Sequence, residues 1–247
     1  MRKAVIVGVS ALAILAAAGQ ANAADMYNGG SKDGPGYVGV NWSGLYLGAH
    51  AGGAWSDLQL TDANNWLGPL GYEWNNTPSN VFGGGQIGYN FQRDRLVFGI
   101  EADLGYMPLA KKALEVADPI AEGYSKVGGG LYADVTGRLG VTLDRALIYA
   151  KGGYAYFGGD IGYETPAWNA SVSQSGLSGW TYGGGVEYKL NPSWSLKAEY
   201  LHFDFGSRTL VLHPGPGLTE PFPSKFAMDS VKVGINYFVA PGYEPLK

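Results

Sequence analysis

Between Arg95 and Met107 the chain alternates with a period of two. Leu96, Phe98, Ile100, Ala102, Leu104 and Tyr106 fall on one face, and Val97, Gly99, Glu101, Asp103 and Gly105 on the other. That period belongs to a β-strand, whose successive side chains point to opposite sides. The second face holds two carboxylates and two glycines, a composition that excludes it as the packed core of a soluble sandwich. It reads instead as the lining of an enclosed polar interior, with the apolar face turned outward.

The arrangement returns three times in clear form. Leu131, Ala133, Val135, Leu139 and Val141 oppose Tyr132, Asp134, Thr136, Arg138 and Thr142; Trp180, Tyr182, Val186, Tyr188 and Leu190 oppose Thr181, Glu187 and Lys189; Val231, Val233, Ile235, Tyr237 and Val239 oppose Lys232, Gly234 and Asn236. Segments 43–55, 80–91, 146–157 and 194–205 fit less cleanly, and in the last the alternation blurs around His202. The expected fold is therefore all-β, an eight-stranded antiparallel transmembrane β-barrel, apolar outside and polar inside. A soluble eight-stranded barrel would line its interior with apolar side chains, which these charges oppose.

The connections alternate in length. Gln92 to Asp94, Leu143 to Arg145 and Asn191 to Ser193 read as tight turns, whereas 56–79, 108–128, 159–176 and 206–226 are long links. Short turns at one end and long loops at the other match periplasmic and extracellular ends. Aromatics fall near the strand ends, where interfacial girdles belong: Trp55, Tyr106, Tyr156, Trp180 and Tyr200 toward the outer rim, Phe91 and Trp194 toward the periplasmic rim.

Ahead of this pattern, Arg2 and Lys3 precede an apolar run from Ala4 to Ala18 and the small-residue stretch Ala21-Asn22-Ala23. This is the form of a cleaved signal peptide over 1–23, its apolar core too short for a spanning helix. Without it, two of the 17 basic residues go and 15 remain against 21 acidic ones. No basic surface points to nucleic acid. The absence of cysteine removes disulfides and thiolate metal sites alike, which leaves the closed hydrogen-bonded sheet as a source of stability. A flexible lead over 24–41, a barrel over 42–239 and a tail over 240–247 complete the expected organisation.

Several segments together resemble the alphaproteobacterial branch of the opacity-protein-like small outer-membrane β-barrels, the porin-like or outer-membrane immunogenic proteins. They are Asn41-Trp42-Ser43-Gly44-Leu45-Tyr46-Leu47-Gly48, Gly83-Gly84-Gly85-Gln86-Ile87-Gly88-Tyr89-Asn90, Phe98-Gly99-Ile100-Glu101-Ala102-Asp103, Gly137-Arg138-Leu139-Gly140, 149–155, Gly179-Trp180 and Lys197-Ala198-Glu199-Tyr200. The resemblance implies an outer-membrane location, insertion by the barrel assembly machinery, and a structural role with displayed loops. Barrels of this kind end on an outward aromatic; here Val239 takes that position and Phe238 lies one residue out of phase.

The residues most able to carry chemistry are the inward charges Glu101, Asp103, Asp134, Arg138, Lys151, Glu187, Lys189, Lys197, Glu199 and Lys232. Opposite charges inside a narrow barrel are expected to pair, since an unpaired buried charge is very costly. An eight-stranded barrel is just wide enough to fill with side chains. A salt-bridged plug is the expectation, and a gated pathway for ions or small solutes the alternative. Gly83, Gly85 and Gly88 satisfy a dinucleotide-binding spacing, but inside a strand rather than at a strand-to-helix turn. No cofactor follows.

Only His50, His202 and His213 offer a base, and no serine lies two residues from any of them. Asp204 beside His202 is in principle able to orient it near the membrane surface, where a lipid-modifying or protease site would lie, but rim polarity explains the pair more simply. Three scattered histidines give no metal-ligand spacing. The expected partners are outer-membrane lipids, with lipopolysaccharide or host and phage ligands reached through loops that expose Trp66, Trp74 and Trp168.

Overall fold

The computed structural model describes residues 40–64, 71, 73–118 and 121–239, the side chains of 115–118, 121 and 167 excepted. The expected signal peptide, nearly all of the lead, Trp66 and the tail lie outside the described residues. Eleven strands run antiparallel within them: β1 (Gly44–Thr61), β2 (Glu73–Asn76), β3 (Ser79–Arg93), β4 (Leu96–Met107), β5 (Lys111–Asp118), β6 (Ala121–Val127), β7 (Gly130–Leu143), β8 (Ala146–Thr165), β9 (Ala170–Lys189), β10 (Trp194–Leu212) and β11 (Glu220–Phe238).

Eight of them close a ring in the order β8, β7, β4, β3, β1, β11, β10, β9, with β9 returning to β8. The first and last ring strands pair from Tyr46↔Phe238 to Leu60↔Ser224, so the sheet has no free edge at its closure. At the periplasmic end, β3 passes to β4 and β7 to β8 through two-residue turns that open on Asp94 and Asp144, at φ 54° and 52°. Aspartate is one of the few side-chain-bearing residues that tolerate this left-handed conformation.

At the other end the expected long loops are mostly strand. Ring strands β1, β8, β9, β10 and β11 run for 18 to 20 residues, well past the 9 to 11 or so that cross a membrane at a tilt. β3, β4 and β7 are shorter. Pairing with the extended parts of their neighbours, β2 continues the sheet from β1 and the β5–β6 hairpin continues it from β8. A hydrogen bond from Asn76 Nδ2 to the Ser125 carbonyl, at 3.3 Å, ties β2 to β6.

The barrel thus has two tiers with opposite polarity. In the lower tier Ile100, Leu104, Val135, Leu139 and Val233 are exposed on the outside and charges fill the inside. In the upper tier the buried side chains are Leu58, Leu60, Ile161, Tyr163, Leu210, Leu212, Phe222 and Phe226, while Ser171, Ser173 and Ser175 face out. The blurred alternation at His202 marks the change: Leu201, Phe203 and Phe205 turn inward and carry the aromatic core of the upper tier. Trp74, expected on the surface, belongs to this core and packs on Phe222 with ring centroids 6.5 Å apart. Trp168 is exposed, as expected. A smaller apolar floor of Trp42, Tyr46, Val97, Leu147, Tyr149 and Phe238 closes the periplasmic side.

Candidate functional site

Between the aromatic core and the floor lies a layer of charge. The strand pleat puts one residue in two on the inside, and four neighbouring strand pairs place their charges at matching heights: Asp103 opposite Asp134, Arg138 opposite Lys151, Lys197 opposite Glu187, and Glu199 opposite Lys232. All ten inward charges are buried.

Lys151 stands at the centre, with Nζ 2.5 Å from Glu101 Oε1, 2.7 Å from Asp103 Oδ2 and 3.2 Å from Glu199 Oε1. Lys197 donates to Glu101 Oε1 at 2.8 Å. Lys232 bridges Asp103 Oδ1 at 3.0 Å and Glu199 Oε1 at 2.9 Å. Each of these three carboxylates therefore meets at least two ammonium groups, the arrangement that lets Coulomb attraction offset desolvation. Glu101, Asp103 and Glu199 present oxygens within 4.8 Å of one another, a spacing suited to a metal ion. Here the Lys151 ammonium occupies the position among them.

Nearer the floor, Arg138 donates to Glu187 Oε2 at 3.0 Å and to Asn90 Oδ1 at 2.8 Å, between the rings of Tyr46 and Tyr149. Tyr46 and Tyr149 hydroxyls donate in turn to Glu101 Oε2, at 2.7 Å, and Glu199 Oε2, at 2.8 Å. Gly88 belongs to this contact rather than to a nucleotide site: a Cβ there would overlap the Tyr46 phenol.

A directional chain crosses the barrel closure. Ser195 Oγ and Asn236 Nδ2 donate to Glu187 Oε1 at 2.5 and 2.7 Å, Gln86 Nε2 donates to Asn236 Oδ1 at 2.7 Å, and His50 joins Gln86 Oε1 to the Tyr132 hydroxyl. If Asn236 gives its amide hydrogens to Glu187, its oxygen must accept from Gln86, whose own oxygen then accepts from His50 Nδ1.

Two of the ten charges stand apart. Lys189 lies at the floor, 3.0 Å above the centre of the Phe238 ring, and donates to the Pro192 carbonyl at 3.0 Å. Asp134 is buried beside Asp103, and no N–H or hydroxyl donor among the described residues reaches either of its oxygens. Conversely, the sequence singled out none of Tyr46, Gln86, Asn90 and Tyr149 as site residues, and it read His50 only as a candidate base. The signal that finds them is parity, since each sits in phase with the inward charges of its strand or its neighbour.

Outside the barrel, His202 Nδ1 pairs with Asp229 Oδ1 at 2.8 Å, and the Tyr200 hydroxyl donates to the same oxygen at 2.6 Å. Asp204, weighed from the sequence as a partner for His202, instead accepts from the Gly206 backbone N–H. The partner comes from the cross-strand register, His202 opposite Asp229, and not from the neighbouring sequence.

The family model described as an outer membrane protein beta-barrel domain matches residues 9–237. The chain is similar to a 31 kDa outer-membrane immunogenic protein of Brucella melitensis biotype 1, 33% identical over 214 residues that cover 80% of this chain and 83% of that one. It is also similar to a 22 kDa outer membrane protein of Rhizobium leguminosarum bv. viciae, 28% identical over 187 residues, covering 74% and 77%. Among solved structures, the outer membrane protein OprG from Pseudomonas aeruginosa aligns with a TM-score of 0.50 at 12% identity, over 80% of this chain and 98% of that one. At that identity the likeness concerns the fold alone.

Proposed function

This chain belongs to the outer membrane protein β-barrel family and is a protein of the cell outer membrane, and from there we propose that it serves as a sealed structural barrel that supports the envelope and displays its upper hairpins. The observation that carries the reading is the dryness of the charged layer. The ion-paired side chains of Glu101, Asp103, Arg138, Lys151, Lys197, Glu199 and Lys232 are each no more than 1% exposed. A water-filled pathway for ions needs polar groups along its wall that meet water; here the polar groups meet one another. The aromatic core above and the apolar floor below support the same reading.

The upper tier gives such a barrel its second role. Its outward face is mostly polar, with Leu114 and Val211 among the exceptions, and carries Trp168 at the turn between β8 and β9, where lipopolysaccharide, host or phage ligands would meet it first. Relatives of this chain are named immunogenic, and a rigid raised tier is the surface this chain would offer to such recognition. Enzymatic activity is no part of the proposal, because His202 and Asp229 are accompanied by a tyrosine already bonded to the same carboxylate.

Planar-bilayer conductance of the purified, heat-modifiable barrel tests the proposal. A silent membrane, with insertion verified by protease protection, is the expected result. Reproducible unitary steps would make the protein a small porin and the charged layer its selectivity filter.

A further inference from the structure

The sealed interior leaves the periplasmic rim as the place where this barrel meets other molecules from below. Beyond residue 40 the chain has five arginines, and three of them, Arg93, Arg95 and Arg145, sit at two periplasmic turns. These turns are neighbours, because the β7 residue Thr142 donates its backbone N–H to the Arg95 carbonyl at 2.8 Å. All three arginines are exposed, and none makes a side-chain hydrogen bond or ion pair among the described residues. The lysines of the described residues lie elsewhere, inside the barrel or in the upper tier. Asp94 and Asp144 share the turns, so the local balance is three cations to two anions.

Directly above these turns the outer wall is aromatic. Arg93 continues the outward row of Tyr89 and Phe91. Phe91 stacks on Phe98 of β4 with centroids 5.9 Å apart and planes 18° apart, and Tyr89 lies 4.7 Å from Phe91. All three rings are exposed to the bilayer side. Guanidinium forks beneath an apolar aromatic wall match a molecule with a phosphodiester at one end and hydrocarbon at the other. We propose that Arg93, Arg95 and Arg145 form a headgroup site for a glycerophospholipid of the periplasmic leaflet, whose phosphodiester they bind while its acyl chains lie along Phe91 and Phe98. Arginine suits this site better than lysine, because its planar fork takes two phosphate oxygens at once.

The site is independent of whether the lumen conducts. It is tested on the full barrel refolded in detergent, by native mass spectrometry during titration with dioleoylphosphatidylglycerol. The variant R93Q/R95Q/R145Q is compared with K111Q/K225Q, which removes exposed cations from the upper tier instead. Retained heat modifiability verifies that both fold. The expected result is a loss of lipid affinity of about tenfold or more in the triple variant, each basic residue near an anionic lipid surface contributing severalfold, and no loss in the upper-tier variant. Phe91→Ala with Phe98→Ala is expected to weaken the dioleoyl lipid with the arginines intact. Equal retention by wild type and triple variant, or an equal loss in the upper-tier control, overturns the proposal.

Discussion

Replacing Lys151 by methionine removes the charge at the centre of the layer while keeping most of the side-chain volume. Three carboxylates touch its ammonium group, at 2.5, 2.7 and 3.2 Å, but none depends on it alone. Glu101 keeps Lys197, Asp103 keeps Lys232, and Glu199 keeps Lys232 together with the Tyr149 hydroxyl. The variant therefore strands one charge's worth of carboxylate rather than three. Breaking one buried pair from one side costs about 3 to 5 kcal/mol, and that is the expected loss. Urea titration of the barrel in lipid vesicles, read by tryptophan fluorescence and by mobility without heating, measures it. Adding Glu101→Gln should restore part of the loss, since the excess negative charge is then gone. A loss below about 1 kcal/mol would mean that water screens the layer as it screens a surface pair, and the sealed-barrel reading would fall with it.

Other consequences are as direct. Asp134→Asn should be neutral or stabilising by about 1 kcal/mol, because the carboxylate it removes is buried beside Asp103 with no N–H or hydroxyl donor of the described residues in reach; denaturation midpoints showing a large loss would reveal a partner for it. Ile100→Arg or Val135→Arg on the lower outer wall should cost about 2 to 4 kcal/mol in a bilayer, and Ser173→Arg on the upper outer wall about 0 to 1; equal costs would move the membrane boundary drawn at His202. In the β5–β6 region, Lys112 and Lys126 flank Glu164 and hold its carboxyl below the ordinary value of 4.5, first through the hydrogen bond from Lys112. Because the folded form is the more acidic, this contribution is present above 4.5 and fades as pH falls through the folded value. Both lysines are roughly half exposed, so solvent screens the pairs and the contribution stays below about 1 kcal/mol. A carbon-13 titration midpoint of Glu164 at or above 4.5 would contradict the assignment, and Lys112→Ala should raise it.

The lower tier was legible because a membrane imposes one rule on its outer wall. Leu96 to Tyr106 can be read as outward on sight, and the inward set follows by parity. The upper tier obeys the opposite rule, so its strands looked like links: Ser171, Ser173 and Ser175 resemble loop residues until Val172 and Leu177 are seen to face the core. The site was legible to the extent that charge identifies itself. Glu101 or Lys151 in an apolar alternating strand needs explanation, whereas Tyr46, Gln86 and Asn90 do not stand out by type and are found only once the register is known. Who pairs with whom was not legible. Lys151 reaches Asp103 across 48 residues and Lys232 reaches it across 129, contacts fixed by ring order and shear rather than by any local pattern.

The change of polarity between the tiers also governs what an antibody could read on the folded chain. Above the membrane only alternate residues of each strand are visible, and the hidden ones, such as Tyr163, Leu210 and Phe222, are the bulkiest. A linear peptide cut from this region presents both sets at once and offers its largest side chains first. Antibodies raised against such a peptide are dominated by groups the folded barrel never shows. Useful recognition must instead span neighbouring strands and read the short polar side chains between them, so drift at those visible positions is structurally cheap, while the hidden half of the same strands is held fixed by packing.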